Sequence, residues 1–336
     1  MIDIGNPTED KQERRESVKL DEIMRLLFDM SKETLVNMLN GLFGETFDPA
    51  AVDITKENAT FVNEQLEIIE GDLFLRVFDP NEPSKPHLFH IEFQTSEDGT
   101  MAIRVLRYDL NQAVENQRLS GDNGEIVLCM PQSLVIHVEE HKSIPCEYKA
   151  LIIFADGDTK RFTVPVLKYW ELSDADLIER NLFPLLPLQI FLLRAELDKL
   201  TKSNDLQAKH AAILRARDIT ERIAKEAAAL NKAGRLMGAD YRKVLTAIAN
   251  LFMHLNNRYE GDKNLNEGVK SMLWELDFKE VEAAVYKKVE DQKAEEIAKS
   301  LLDILDIETI AVKTKIAIER VKELKEQYLK NTQEGQ

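Results

Sequence analysis

Cysteine is scarce, with Cys129 and Cys146 the two in 336 residues and no CxxC pair. That count excludes a disulfide framework and a cysteine zinc site, and it suits a reducing, cytoplasmic setting. Glycine and proline are also few, 13 and 10, so neither a collagen-like nor a low-complexity reading applies. Long apolar runs are missing. The most apolar stretch, LFPLLPLQIFLL at 182–193, is interrupted by two prolines and Gln189. It is too short to span a bilayer and reads as a core helix beginning after Pro187, so no membrane partner is expected. The opening MIDIGNPTEDKQERRES has no apolar segment behind a basic one and is not a secretory signal. With so little to bury, residues 1–17 are expected to form a disordered tail. Histidine spacing offers no HExxH motif. His137 and His141 are four apart, but SLVIHVEE reads as a strand, where that interval does not gather ligands.

Positive charge is in deficit, with 44 Lys and Arg against 60 Asp and Glu, a net of −16. That balance argues against a nucleic-acid partner until its distribution is considered. Residues 1–172 hold 17 basic and 32 acidic residues, whereas residues 173–336 hold 27 and 28. Within the second half, residues 199–243 carry 11 basic and 5 acidic residues. An acidic front half suits a divalent cation, and a basic stretch suits phosphate.

Apolar positions Leu20, Ile23, Met24, Leu27 and Phe28 follow a helical stripe. Ser31 then stands as N-cap to KETLVNMLNGLF, which Gly44 closes. Residues 72–79 and 88–94 alternate as strands around a proline-rich turn, and 101–118 reads as a helix. Strands follow near 125–129, 133–138, 148–155 and 160–168, the last two joined at Asp156-Gly157-Asp158. From residue 173 the pattern is helical. The order implies an α/β (α+β) domain over 18–172 and a helical domain over 173–336.

On strand 88–94, Phe89, Ile91 and Phe93 share one face, and His90, Glu92 and Gln94 share the other. Three polar groups on one face of a half-buried strand are costly unless they meet water, a partner or a metal. A hairpin centred on 80–87 would set Asp72 near Gln94 and one diagonal step from Glu92, about 7–8 Å away. Two carboxylates so placed can grip a hard cation through oxygen. Phosphodiester hydrolysis needs such an ion to polarise a phosphoryl oxygen and activate water, with a nearby amide to orient that water. A solvated hairpin edge with scattered charge is the simpler alternative.

These residues resemble the Rpn-type recombination-promoting nuclease/transposase family of the PD-(D/E)XK superfamily. The segment DEIMRLLF at 21–28 is similar to the family's opening motif, Asp72 to its strand-start Asp, and Glu92-Phe93-Gln94 to its E-x-Q strand. Arg104 and Tyr108 match its helical Arg and Tyr pattern. RFTVPVLKYWEL, NLFPLLPLQIFLLR and LLDILDIETIAVKTKIAIERVKELK resemble its later text, so the likeness runs from about residue 20 to 326. The resemblance implies a restriction-endonuclease-like core with a helical C-terminal domain. It also implies a DNA endonuclease dependent on Mg²⁺ or Mn²⁺, serving recombination or mobile elements. Asp72 and Glu92 would hold metal, Gln94 would orient water, and Arg104 or Tyr108 would support the phosphate. Gln94 replaces the superfamily's usual Lys, and a neutral amide donates no positive charge to the transition state.

Arg104 and Tyr108 are four apart on one helical face. They can meet phosphate or buttress Glu92, or be a surface Arg and a half-buried Tyr. His90 reads as a flanking strand residue. Arg215, Arg217 and Arg222, in the basic stretch, are candidate DNA contacts, with a solvated helix face as the alternative. Near the C-terminus, Lys315 and Ala317 stand where related sequences often carry Gly and Ser, so a structural helical hairpin is favoured over a base-reading module. The rival to an enzyme is a catalytically silent nuclease fold that binds DNA or protein. Homo-oligomerisation is left open.

Overall fold

A computed structural model describes residues 27–57, 60–62, 68–70, 73–83, 85, 87–120, 124–203, 205–302 and 304–333. The expected tail at 1–17, the start of the first helix and Asp72 lie outside the described residues.

Ser31 caps α1 (Lys32–Phe43) by accepting a hydrogen bond from the Thr34 amide, and Gly44 ends it in the left-handed region at φ 72°. The sheet follows in two stages. Strands β1 (Asp53–Lys56), β4 (Leu73–Phe78) and β5 (His87–Gln94) form an antiparallel meander. Two short strands, β2 (Thr60–Val62) and β3 (Ile68–Glu70), pair apart from it. Helix α2 (Met101–Glu115) then crosses over. After a second separate pair, β6 (Arg118–Ser120) with β7 (Glu125–Val127), the chain enters β8 (Gln132–His137), parallel to β5. Strand β9 (Glu147–Ile153) turns at Gly157, φ 93°, into β10 (Thr159–Lys168), which lies parallel to β8. The sheet order is β1-β4-β5-β8-β10-β9, a six-stranded mixed sheet in a mixed α/β chain.

Alternation along these strands fills two layers. Leu75, Phe89, Ile91, Phe93 and Ile136 occupy one face. Phe93 packs on Phe28, and Phe89 packs on Phe43 and Phe47, residues that flank or end α1. The opposite face lies under α2, where Val135 and Val164 pack with Met101 and Val105. Over β5 and β8 both faces are therefore covered, and the polar positions of β5 meet a helix.

One register differs from expectation. Leu73 lies opposite Ile91 and Val77 opposite His87, three residues from the predicted pairing. The cause is an early turn: the Asp79 side chain accepts from the Asn81 amide at 2.8 Å, and its carbonyl accepts from Glu82 at 3.1 Å. An odd shift moves a side chain between faces, and here it puts Leu73 on the apolar side with Ile91.

Helices α3 (Asp174–Glu179), α4 (Leu188–Phe191), α5 (Arg194–Ser203), α6 (Leu206–Lys232) and α7 (Gly238–Tyr259) follow. The apolar run is buried over 182–191, and its helix does begin after Pro187, though it is four residues long. Among the described residues no helix is long and apolar enough to cross a membrane. Helix α7 is tied to the start of α1. Buried Asp240 accepts from the Ser31 amide at 2.9 Å and hydroxyl at 2.5 Å, and from the Thr34 hydroxyl at 2.7 Å. Arg180 donates to the Gly41 carbonyl at 2.8 Å.

Such ties run across the expected boundary at 172. The chain divides into compact units at Met1–Leu273 and Trp274–Gln336. Helix α8 (Lys263–Leu301) runs across the division. In the second unit, α9 (Ile307–Thr314) and α10 (Ile318–Gln333) form the expected pair of helices around a turn. Ala298, Leu302, Ile310, Ala311, Val321 and Leu324 make its core.

Candidate active site

Strand β5 and helix α2 build the site together. The inward positions of α2 at Met101, Val105, Tyr108, Asp109 and Gln112 recur at helical spacing, so its polar members face the strand's polar row. His90 and Glu92 are 1% and 2% exposed, and Asp109 is fully buried. Their partners lie within the same layer. His90 Nδ1 meets Asp109 Oδ1 at 2.7 Å, and Ser133 donates to Asp109 Oδ2 at 2.5 Å. His90 stacks on Phe74 with centroids 4.1 Å apart, and its Nε2 lies 3.4 Å from Glu92 Oε2.

Glu92 Oε1 accepts from Arg104 Nη2 at 2.6 Å and from the Gln94 amide at 3.2 Å. Arg104 also donates to Asp98 Oδ2 at 2.9 Å, and its guanidinium lies 5.9 Å from the centre of the Tyr108 ring. Arg104 therefore buttresses Glu92, the second of the roles its helical position allows. Burial opposes charge on His90, but the hydrogen bonds and charges of Asp109 and Glu92 outweigh it and raise the imidazole to about 9. His90 is accordingly an imidazolium at neutral pH. The layer holds two buried carboxylates against His90 and Arg104, as buried charge requires.

Exposure rises along β5, from buried His90 and Glu92 to half-buried Gln94. The C-terminal end of the strand is thus where this layer opens. Beside Gln94 in the neighbouring strand stands His137, fully buried, with Nε2 2.8 Å from the Tyr148 hydroxyl. Burial, aided by His141, pushes its imidazole down to about 4, so it is neutral.

Of the expected site residues, the structure brings together Glu92, Gln94, Arg104 and Tyr108. Asp72 lies outside the described residues. His90, Asp109, Ser133, Asp98 and His137 were not singled out as functional residues from sequence. The available signal was the run of polar residues on the inward face of α2, read against the polar row of β5. Arg215, Arg217 and Arg222 lie on α6, away from this cluster in sequence and exposed, and each has an acidic partner. Arg215 pairs with Glu196, Arg217 with Asp218 at 3.1 Å and Arg222 with Asp174 at 3.2 Å.

The donors fit a hard divalent cation in kind but not in number. Glu92 offers a carboxylate and Gln94 an amide oxygen, while Arg104 and the His90 ring flank the same carboxylate. Among the described residues no group of three His, Cys, Asp or Glu side chains is placed to hold a metal ion.

Comparison with protein-family models, curated proteins and solved structures finds no match to this chain. The site's chemistry has to speak for itself.

Proposed function

We propose that the chain is a DNA endonuclease of the PD-(D/E)XK kind, dependent on Mg²⁺ or Mn²⁺ and related to recombination or mobile-element functions. The observation that carries this reading is the juxtaposition of Glu92, Gln94 and Arg104 where the polar layer opens. A hairpin whose second strand bears E-x-Q, followed at once by a helix bearing the arginine that meets Glu92, supports the nuclease-like core that the resemblance implies. Glu92, with Asp72 by resemblance, would hold the cation, which supplies polarisation of a phosphoryl oxygen and a more acidic water. Arg104 fixes the Glu92 carboxylate. Gln94, half-buried at the opening, has its amide nitrogen on Glu92, leaving its oxygen able to orient a water.

The test is plasmid cleavage by the full chain with Mg²⁺, Mn²⁺ or EDTA, beside Asp72→Ala and Glu92→Gln. Metal-dependent nicking abolished in both folded variants is the expected result. Equal cutting by wild type and variants overturns the site assignment. A second reading, a silent nuclease fold that binds DNA or protein, is favoured by one observation: both Glu92 oxygens already face cationic groups. Duplex binding without cleavage under any metal would select it.

A further inference from the structure

Strands β5, β8 and β10 run parallel and bring three residues into one row, with Gln94 opposite His137 and His137 opposite Lys168. Register partners share a face, and the previous row identifies which. Glu92, Val135 and Val166 stand two positions earlier; Val135 packs with Met101 and Val105 of α2, and Val166 packs against that cluster. Lys168 therefore lies on the site's face of the sheet. With neighbouring strands about 4.8 Å apart, its Cα is about 10 Å from that of Gln94, within reach of a long side chain spanning toward a shared ligand.

Its charge is differently placed from that of Arg104. Arg104 is neutralised by Glu92 and Asp98, and so has little field left for an anion. Lys168 is half-buried, and no carboxylate among the described residues pairs with it. With no carboxylate among the described residues beside it, the Lys168 ammonium is free to meet an anion that reaches this row. Between Lys168 and Gln94 sits the ring of His137, buried, with its Nδ1 lacking any hydrogen-bond partner. Two observations at one strand-end row thus point to a ligand: a cation with no carboxylate partner and a buried ring nitrogen with no hydrogen-bond partner, both among the described residues.

We infer that Lys168 is a phosphate-binding residue of this site, taking a non-bridging oxygen of a nucleic-acid phosphodiester and supplying the positive charge that an amide at position 94 cannot. The inference rests on the nuclease reading above and extends it by naming the cation. Residues 1–172 carry 17 basic against 32 acidic residues, which makes an uncompensated lysine at the opening the more consequential for a polyanion.

The experiment uses the full chain with Lys168→Gln, Lys168→Arg, Lys168→Met and the charge relocation Gln94→Lys/Lys168→Gln. Binding of a labelled duplex is followed by anisotropy across a salt series in EDTA, and plasmid cleavage is followed in Mg²⁺. Lys168→Gln should weaken binding and lower the log–log salt slope by about 0.9, the contribution of one phosphate contact. Cleavage should fall roughly tenfold or more, the direction expected when a donor to transition-state charge is removed. Lys168→Arg should retain most of both, and the relocated charge should recover part of them. Lys168→Met keeps the apolar stem and drops the charge, so it carries the test should the glutamine variant not fold. If wild type cuts and the charge-removing variants bind and cut as well as it does, Lys168 is a solvated strand end and the inference alone falls. If wild type binds without cutting and Lys168→Gln loosens that binding, the inference stands and the enzyme reading falls. A wild type that neither binds nor cuts overturns both.

Discussion

The buried His90–Asp109 pair makes a sharp thermodynamic prediction. His90 is raised from its ordinary 6.5 to about 9, because Asp109 and Glu92 together outweigh its burial. Its folded state holds the proton more tightly than the unfolded chain does, so the resulting stability is present in full below pH 6.5 and is lost as pH rises through 9. At about 1.4 kcal/mol per pH unit, the gap of two to three units amounts to about 3 kcal/mol. Asp109→Asn removes the nearer anion and leaves the buried imidazole with Glu92 alone to hold its proton. At pH 6 to 7 that should cost about 3–5 kcal/mol, the usual penalty for breaking a buried pair. Near pH 10 the wild type has lost its imidazolium too, and the difference should narrow by about 3 kcal/mol. Urea unfolding at each pH, with the slope checked for constancy, gives the difference directly, and groups common to both proteins cancel. Ring-proton NMR adds the site-specific reading, with one histidine titrating near 9 and another, His137, near 4. A constant stability gap from pH 6 to 10, with no ring titrating above 8, would refute the charge assignment.

Three further outcomes follow from geometry. Gly41→Ala should destabilise by about 2–3 kcal/mol or more in thermal or urea unfolding, because a Cβ there would lie 2.0 Å from the Arg180 carbonyl oxygen, a backbone atom that cannot swing away. Lys315→Gly should stabilise the second unit by about 1 kcal/mol, since Lys315 closes α9 in the left-handed region at φ 59°, where a side chain is strained; an unchanged or lower melting point for that unit would contradict it. Replacing Arg215, Arg217 and Arg222 together with Glu sets like charges beside Glu196, Asp218 and Asp174. It should weaken duplex binding whatever the sequence and flatten the salt dependence by up to about 2 to 3 in log–log slope; unchanged anisotropy curves in the folded variant would leave α6 a solvated face.

What was legible in the sequence was local. Ser31 and Gly44 bound α1 because capping is written in two residues, and the turn at 156–158 announced itself through Gly157. Strand β5 was legible because Phe89, Ile91 and Phe93 alternate. Strand β1, Asp-Ile-Thr-Lys, was not, because four mostly exposed residues with one apolar side chain carry no period. The hairpin register failed on a single side chain, Asp79, whose turn begins the reversal early. His90 looked like a flank because the carboxylate that binds its Nδ1 is remote: Asp109 is 19 residues away on another element, and Ser133, which donates to Asp109, is 24 beyond that. Packing alone makes them neighbours. Ties across the expected boundary at 172 were out of sight for the same reason, since Asp240 accepts from the Ser31 amide more than 200 residues away.

On the proposed nuclease reading, the same packing decides where a phosphodiester would enter. The apolar face of the sheet is spent on α1, and the polar face is sealed by α2 along His90, Glu92 and Val135. Along β5 the side chains of that face become accessible at the end of the strand, at half-buried Gln94, and half-buried Lys168 stands in the same row beyond buried His137. Three adjacent strands, β5, β8 and β10, run parallel and finish at this row, and in open α/β sheets ligands bind outside the carboxyl ends of the strands. A ligand arriving there meets the amide of Gln94 and the ammonium of Lys168 before it reaches Glu92. If the nuclease reading holds, substitutions at 94 and 168 should therefore change affinity as well as turnover, whereas a change at Asp109, deep in the layer, would act on a phosphodiester only through His90 and Glu92.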